Sequence, residues 1–181
     1  MLSRENAVVV FVDIQGKLAT LMHHKERTFA NLVRLVHAAD ALELPVIWNE
    51  QLPDKLGETF PELKAALAEH GQQPLVKSCF SCCGNESFND ALAATGRKQV
   101  LLTGIETHIC VHQTAVDLVK RGYEVHVVID AVDSRFEYNY HLGLQRMTEL
   151  GCKMTSLEMS LFEMMGAAQG ETFRKIVKII K

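Results

Sequence analysis

Six short runs of largely β-branched, apolar residues recur along the chain, and each is apolar at nearly every position. A strand covered on one face alternates apolar and polar residues, whereas a strand buried on both faces is apolar throughout. The runs therefore predict strands of a parallel sheet that has helices on both faces. They are Ala7–Val12, Pro45–Trp48, Pro74–Val76, Gln99–Thr103, Glu124–Ile129 and Lys153–Ser156.

Amphipathic segments separate these runs and predict helices between the strands. Phe29–Leu42 and Cys110–Arg121 place apolar residues three and four positions apart, which is the spacing of one helix face. His141–Leu150 ends at Gly151, a residue type that commonly terminates helices. Because parallel neighbours need right-handed crossovers, the alternation predicts an α/β fold. We expect a three-layer, doubly wound sheet of six mainly parallel strands, in the order 3-2-1-4-5-6, with helices on both faces.

The length of the chain fits one domain. With 181 residues it exceeds the usual domain size but is short for two domains, so we expect a single domain over residues 1–181. The segment 160–181 is amphipathic and can pack on this domain or on another subunit. Packing within the chain is the favoured alternative.

Charge and cysteine content exclude several classes of protein. The 19 basic and 22 acidic residues are interspersed and give a net charge of −3, so no basic stripe is available for nucleic-acid phosphates. The apolar runs are too short to span a bilayer, and the first residues lack a signal-peptide pattern. We therefore expect a cytoplasmic protein that binds neither nucleic acid nor membranes. Five unevenly spaced cysteines indicate free thiols.

Candidate catalytic residues follow the first and fourth predicted strands, between which the strand order reverses. Ligands of such sheets bind beyond the carboxyl ends of the strands at this reversal. Asp13 follows an apolar run, so desolvation is expected to raise its pKa and to suit it to proton transfer. The alternative is an Asp that only caps the turn after the strand. Cys110 lies at a predicted helix start, where the helix dipole favours a thiolate; the alternative is a small buried hydrophobic residue.

Lys77 follows the apolar end of the third predicted strand. An ammonium group there needs an anionic partner or a polar cleft, unless it is simply a surface lysine at a strand exit. Strand three lies two strands from strand one, which is roughly 10 Å in an ordinary sheet. The long side chain of Lys77 therefore has to extend inward to stabilise a thiolate or an oxyanion.

Together these segments resemble the isochorismatase-like cysteine hydrolases, a family that includes nicotinamidases, N-carbamoylsarcosine amidase and isochorismatase. The resemblance covers nearly the whole chain. It implies that Asp13 is general base and then general acid, that Lys77 stabilises charge, and that Cys110 attacks a carbonyl carbon to form a thioester. The matching segments are Val10–Gln15, Val76-Lys77, Gly104–Val111 and Thr114-Ala115.

The resemblance also has implications for the surroundings of the nucleophile. A non-proline cis peptide is expected between Ile105 and Glu106, whose backbone forms an oxyanion hole with the N–H of Cys110. A homo-oligomer is expected. Nicotinamidases have an Asp-x-His metal motif after strand two, but residues 49–57 here contain no histidine, so we expect neither a metal nor a cofactor. This stretch resembles instead the branch that includes YcaC-type hydrolases and animal isochorismatase-domain proteins.

Other side chains are candidates for lining the pocket. For Trp48, a position in the core is the favoured alternative to pocket lining. For His108, pocket lining or simple hydrogen bonding is favoured over metal binding together with His112. Cys79, Cys82 and Cys83 contain a C-x-x-C pattern that indicates ordinary loop thiols more than a metal or redox site. The pocket-lining set is Gln15, Trp48, Gln51, Phe80 and His108.

The sequence therefore predicts a cysteine hydrolase that cleaves a small amide-like or related carbonyl substrate through a thioester on Cys110. One alternative is an isochorismatase-type vinyl-ether hydrolase, for which a thiol is dispensable. The other is a catalytically silent family member that acts as an oligomeric binding protein. The presence of Cys110 favours C–N hydrolysis over vinyl-ether cleavage.

Overall fold

A computed structural model describes residues 1–181 and contains a six-stranded sheet in the order β3-β2-β1-β4-β5-β6. All neighbouring strands are parallel. The predicted α/β fold class and strand order are thus confirmed. The strands are β1 (Ala7–Val12), β2 (Val46–Gln51), β3 (Pro74–Lys77), β4 (Gln99–Ile105), β5 (Glu124–Asp133) and β6 (Lys153–Thr155).

Helices follow the strands and cover both faces of the sheet. A 3₁₀ turn at Cys82–Gly84 and a π-helical turn at Thr107–Val111 complete the secondary structure. No helix combines the length and the apolar character that crossing a membrane requires. The helices are α1 (Gly16–Thr20), α2 (Lys25–Ala41), α3 (Pro53–Leu56), α4 (Pro61–Glu69), α5 (Glu86–Ala94), α6 (His112–Lys120), α7 (Glu137–Glu149), α8 (Leu157–Met165) and α9 (Gly170–Ile180).

Alternate side chains of the central strand β1 enter two separate cores. Val9 and Phe11 pack beneath α2, α4, α8 and α9, whereas Val8 and Val10 pack beneath α5, α6 and α7. All of these side chains are fully buried. Burial of each such side chain contributes about 1.5–3 kcal/mol. Burial on both faces explains why the run is apolar at every position.

The C-terminal segment packs within the chain, which is the alternative that the sequence favoured. Leu161 and Met164 of α8 and Ile176 of α9 are buried in the core beneath α2. These helices therefore complete one helical layer of the same sheet.

Several strands are longer than their apolar runs predict. β2 continues past Trp48 to Gln51, because Asn49, Glu50 and Gln51 pair with the last three residues of β3. β4 continues to Ile105. These extensions carry polar side chains to the carboxyl edge of the sheet. Because their residues are not a continuous apolar run, the sequence pattern does not predict that the strands continue there.

The helix predicted over Cys110–Arg121 begins later than expected. Cys110 lies in the π-helical turn, and α6 starts at His112. The carbonyl oxygen of Glu106 accepts hydrogen bonds from the N–H groups of both Ile109 and Val111, at 3.0 and 3.3 Å, and this widens the turn. Such π-helical turns occur frequently at functional sites.

Candidate active site

Side chains that follow β1, end β3 and follow β4 meet at the carboxyl edge of the sheet. β1 and β4 are neighbours, and the strand order reverses between them. A cavity of about 200 Å³ lies at this edge. Pockets for drug-sized ligands measure about 300–1,000 Å³, so this cavity fits a smaller molecule.

The wall of the cavity is mainly apolar and bears no positive charge. Its polar lining residues are Asp13, Gln51, Glu106 and Cys110. The carboxylate of Glu106 is paired with the Arg135 guanidinium at 3.2 Å. The remaining lining side chains are Leu18, Leu56, Phe80, Ile105 and Ile109.

Asp13 has one carboxylate oxygen engaged and one free. Oδ2 accepts a hydrogen bond from Lys77 Nζ at 2.6 Å, while the buried Oδ1 has no partner. Burial raises the pKa of Asp13 above its ordinary value, against the lowering effect of the Lys77 charge. The backbone of Asp13 has a φ of 52°, a left-handed conformation that Asp and Asn tolerate better than most residues. A free, weakly acidic oxygen suits a general base.

Lys77 reaches inward from β3 and is completely enclosed. Its Nζ donates to Asp13 Oδ2 at 2.6 Å, and to Gln51 Oε1, Cys79 O and Phe80 O at 3.0 Å each. Burial alone lowers the pKa of Lys77, but the negative charge of Asp13 contributes to a net rise. An ammonium group has three protons, so these acceptors leave none for a ligand. Lys77 therefore stays charged and acts through the groups that it holds.

Cys110 is buried, with 8% of its surface exposed, and its Sγ lies 3.5 Å from Gln51 Oε1. Burial raises the pKa of the thiol, the charge of Asp13 raises it further, and Lys77 lowers it. The expectation that a helix dipole favours the thiolate is wrong, because burial dominates and the residue lies within the π-helical turn. The resting thiol is protonated, so its activation requires a nearby base.

The backbone before Cys110 has the geometry that the resemblance implied. The peptide bond between Ile105 and Glu106 is cis, and both residues line the cavity. The Glu106 carboxylate accepts hydrogen bonds from the backbone N–H of Arg135 at 3.0 Å and from its Nε at 3.2 Å. Sequence reasoning did not identify Arg135, which lies far along the chain and has no recognisable motif.

Gly143 of α7 lies against the turn that contains Cys110. A Cβ at this glycine would lie only 3.0 Å from Thr107 C and from His108 N. The close approach of α7 to the turn therefore requires a residue without a side chain at this position. A glycine inside a helical pattern was the available sequence signal for this contact.

Of the predicted lining residues, Gln51 and Phe80 line the cavity, whereas Gln15, Trp48 and His108 do not. Gln15 is directed to backbone groups: its Oε1 accepts from Gln51 N at 2.6 Å, and its Nε2 donates to Gly57 O at 2.7 Å. Trp48 lies in the core beneath α2 and donates to Thr59 Oγ1 at 2.8 Å. His108 Nδ1 lies 3.0 Å from Ser134 Oγ instead.

The other cysteines are free thiols, and two of the three in the C-x-x-C loop are inside the molecule. Cys82 and Cys83 are buried in the core beneath α5, α6 and α7. Away from the cavity, His23, His24 and Glu137 place ligand-type atoms within 4.8 Å of one another. None of these three residues lines the cavity. Cys110 is the only cysteine that does.

Comparison with known proteins places the chain in a family. The Isochorismatase domain family matches residues 7–159. The chain is 35% identical to "Isochorismatase domain-containing protein 2" of Danio rerio, over 99% of this chain and 89% of that protein.

Solved structures give the same result. MAR1 ribonuclease from Caenorhabditis elegans is similar with a TM-score of 0.91 and 35% identity, covering 99% of this chain and 91% of that one. YcaC from Escherichia coli, described as an octameric hydrolase of unknown specificity, gives a TM-score of 0.92 at 25% identity, over 99% and 88% of the two chains. YcaC from Pseudomonas aeruginosa, solved with hexane-2,5-diol and covalent acrylamide, gives 0.90 at 27% identity, over 98% and 90%. The chain therefore belongs to the isochorismatase domain family.

Proposed function

We propose that this protein is a cysteine hydrolase that cleaves small, neutral amide-like or related carbonyl substrates through a thioester on Cys110. The observation that carries the proposal is that the buried thiol of Cys110 lines the same small cavity as Asp13, whose buried Oδ1 has no partner, and that this cavity bears no positive charge. A thiol with a raised pKa is a weak nucleophile by itself, and a carboxylate with a raised pKa is the base that it needs.

In the first half-reaction, the proton of the Cys110 thiol moves to Asp13 Oδ1 as the sulfur attacks the carbonyl carbon. The carbonyl π electrons move to oxygen and give a tetrahedral oxyanion, which the N–H of Cys110 and the backbone of Ile105 and Glu106 stabilise. Asp13 then gives the proton to the leaving nitrogen, the C–N bond breaks, and the amine departs. The acyl group remains on Cys110 as a thioester.

In the second half-reaction, water attacks the thioester carbon and gives its proton to Asp13. The C–S bond breaks, Asp13 returns the proton to sulfur, and the carboxylic acid leaves. Lys77 holds Asp13 Oδ2 throughout, at 2.6 Å, and leaves Oδ1 free to take up and return the proton. Because Lys77 has no free proton for a ligand, its charge acts through Asp13 and Gln51.

The charge of the cavity wall favours this reaction over vinyl-ether cleavage. Isochorismate carries two carboxylates, and a site for it needs cationic partners. No lining residue is cationic, and the nearest ammonium, Lys77, is saturated by protein acceptors. A neutral carbonyl compound loses less hydration on entering an apolar cavity. The covalent acrylamide in Pseudomonas aeruginosa YcaC is consistent with this chemistry, because acrylamide is a small neutral amide that reacts with thiols.

Cleavage of RNA is a second candidate, because the Caenorhabditis elegans neighbour is described as a ribonuclease. RNA carries one negative charge per nucleotide, and proteins that bind it neutralise phosphates with Lys and Arg. The cavity offers neither, and the formal net charge of the chain is −3. Carbonyl hydrolysis therefore fits the site better.

A hydrolysis screen of wild type, Cys110→Ala and Cys152→Ala tests the proposal; Cys152 is a matched control, since it is also buried but does not line the cavity. The panel contains small amides, carbamoyl compounds, isochorismate and single-stranded RNA. We expect amine or ammonia release by wild type and Cys152→Ala, and none by Cys110→Ala.

Each other outcome supports a different function. Isochorismate cleavage that survives in Cys110→Ala supports the vinyl-ether hydrolase, and RNA cleavage supports the ribonuclease. The silent binding protein is supported if nothing is hydrolysed and iodoacetamide labels Cys110 no faster than Cys152. Family membership also leads us to propose a homo-oligomer, as in the octameric Escherichia coli YcaC.

A further inference from the structure

The side-chain amide of Gln51 has only one orientation that satisfies its neighbours. Oε1 lies 3.0 Å from Lys77 Nζ and 3.5 Å from Cys110 Sγ. An ammonium group only donates hydrogen bonds, so the amide oxygen and not the amide nitrogen must face Lys77. The Nε2 group of Gln51 consequently lies on the other side of the amide, away from Lys77.

The backbone of Gln51 is held in place from both sides. Its N–H donates to Gln15 Oε1 at 2.6 Å, and its carbonyl oxygen accepts from Gln15 Nε2 at 3.2 Å. Gln51 also pairs with Lys77 in the β2–β3 ladder. The side chain therefore starts from a rigid strand end and is fixed again at its oxygen, which is the kind of support that precise ligand contacts require.

Nε2 is the one part of Gln51 that no protein group uses. Gln51 lines the cavity together with Cys110, and its only side-chain hydrogen bonds are those of Oε1. An amide whose oxygen accepts from a cation is polarised, and its N–H groups become stronger donors. The charge of the enclosed Lys77 can thus reach the cavity through Gln51.

We infer that Gln51 binds the substrate by donating a hydrogen bond from Nε2 to a neutral carbonyl oxygen, next to the carbon that Cys110 attacks. This inference rests on the proposed function and adds to it that the neutral substrate presents its carbonyl oxygen to Gln51 and carries only a short apolar substituent, which the small apolar cavity accepts. An anionic group is excluded because the cavity offers no cation to pair with it. Negative charge that develops on the carbonyl oxygen strengthens the same hydrogen bond, so Gln51 also lowers the barrier to attack.

The test compares two reagents that modify Cys110. Acrylamide adds its terminal carbon to sulfur while charge develops on its carbonyl oxygen, and the thiol proton ends on the neighbouring carbon. Methyl methanethiosulfonate forms a disulfide with loss of methanesulfinate and has no carbonyl group. Both rate constants depend on the same thiolate fraction. A change between wild type and variant in the ratio of the acrylamide rate constant to the methyl methanethiosulfonate rate constant therefore reports on recognition of the carbonyl oxygen.

Two substitutions separate the binding role from a purely structural one. Gln51→Glu keeps an oxygen that accepts from Lys77 but lacks the Nε2 donor, whereas Gln51→Leu lacks both. We expect the ratio of the acrylamide rate constant to the methyl methanethiosulfonate rate constant to fall at least about tenfold in both variants. The loss of one hydrogen bond of about 1.4 kcal/mol corresponds to a factor of ten. Gln145→Leu removes an exposed glutamine of α7 that donates to Glu149, and we expect it to leave the ratio unchanged.

The outcomes distinguish this inference from the proposed function. A ratio that is retained in Gln51→Glu and lost only in Gln51→Leu means that Gln51 merely holds Lys77, and overturns the inference. A ratio unchanged in both variants overturns it as well. If neither reagent modifies Cys110 of the wild type faster than Cys152, the nucleophile itself is wrong and the proposed function fails with it.

Discussion

At the scale of single residues, the site depends on how the charges of Asp13, Lys77 and Cys110 are arranged. Lys77 and Asp13 form an ion pair at 2.6 Å whose side chains are 0% and 5% exposed. A buried pair keeps its charges only because the two groups compensate each other, and removing one partner leaves the other uncompensated. Substitution of either residue therefore changes the ionisation of the neighbouring thiol.

Asp13→Asn tests the assignment of the base. Asn retains tolerance of the left-handed backbone at φ 52°, so we expect the variant to fold. Hydrolysis should fall by about 10²–10⁴, the usual contribution of a general base. The negative charge of Asp13 raises the pKa of the Cys110 thiol and Lys77 lowers it, so the variant's thiol should titrate at lower pH than that of the wild type.

Thiolate absorbance measured against pH checks this shift, with Asp40→Asn as the control because its carboxylate is 62% exposed on α2. A thiol pKa that stays the same or rises in Asp13→Asn, or hydrolysis at the wild-type rate, contradicts the assignment.

The location of Asp13, Lys77 and Cys110 at one edge of the sheet could be predicted from the apolar strands that precede them, whereas their proposed roles came from the family resemblance. The role proposed for Gln51 could not be predicted, since it depends on which amide atom faces Lys77, and that is decided by contacts across the fold. The high pKa of the Cys110 thiol was missed for a related reason. A helix start suggests a thiolate, but burial and the nearby carboxylate act in the opposite direction.

At the scale of secondary structure elements, the close approach of β1 and β4 brings Asp13 and the turn that contains Cys110 to the same edge of the sheet. Gly104 of β4 has a φ of 111°, and a Cβ there would lie 2.1 Å from the carbonyl oxygen of Val12, the residue before Asp13. Only glycine allows both the backbone conformation and this approach.

Gly104→Ala should therefore lower the free energy of unfolding by about 2–4 kcal/mol, because the clash adds to the backbone strain. Gly96→Ala is the matched control: its φ is 66°, and nothing lies within 4 Å of a Cβ there. It should cost about 1–2 kcal/mol from strain alone. Urea denaturation of both variants measures the difference, and equal losses would show that the contact with Val12 does not matter.

The extent of the elements was less predictable than their order. Apolar runs identify the buried middle of a strand, but the functional ends of β2 and β4 carry Glu50, Gln51 and Gly104, which interrupt that pattern. Buried Glu50 is retained because Oε1 accepts from both the N–H and the hydroxyl of Thr59, at 2.7 and 2.6 Å. Such pairings join distant segments, so local periodicity does not contain them.

At the scale of the whole molecule, the fold gathers polar side chains at one edge of an otherwise apolar sheet. The two-sided burial of its strands made the α/β class predictable from the sequence, and the common arrangement of doubly wound sheets supplied the strand order. The cavity was not, because Leu18 and Leu56 come from the short helices α1 and α3, which have no apolar run or helical period of their own. The substrate class therefore depends on parts of the molecule that only the folded structure defines.

The central claim is that Cys110 forms a thioester, and rapid-quench mass spectrometry with vinyl acetate measures this directly. Vinyl acetate is a small, neutral, activated ester that suits a cavity of about 200 Å³. We predict that the wild type gains the mass of one acetyl group on the peptide that contains Cys110, that this adduct decays as acetate is released, and that Cys110→Ala gains none. Acetate release at the wild-type rate by Cys110→Ala, with no adduct on the wild type, would contradict the account.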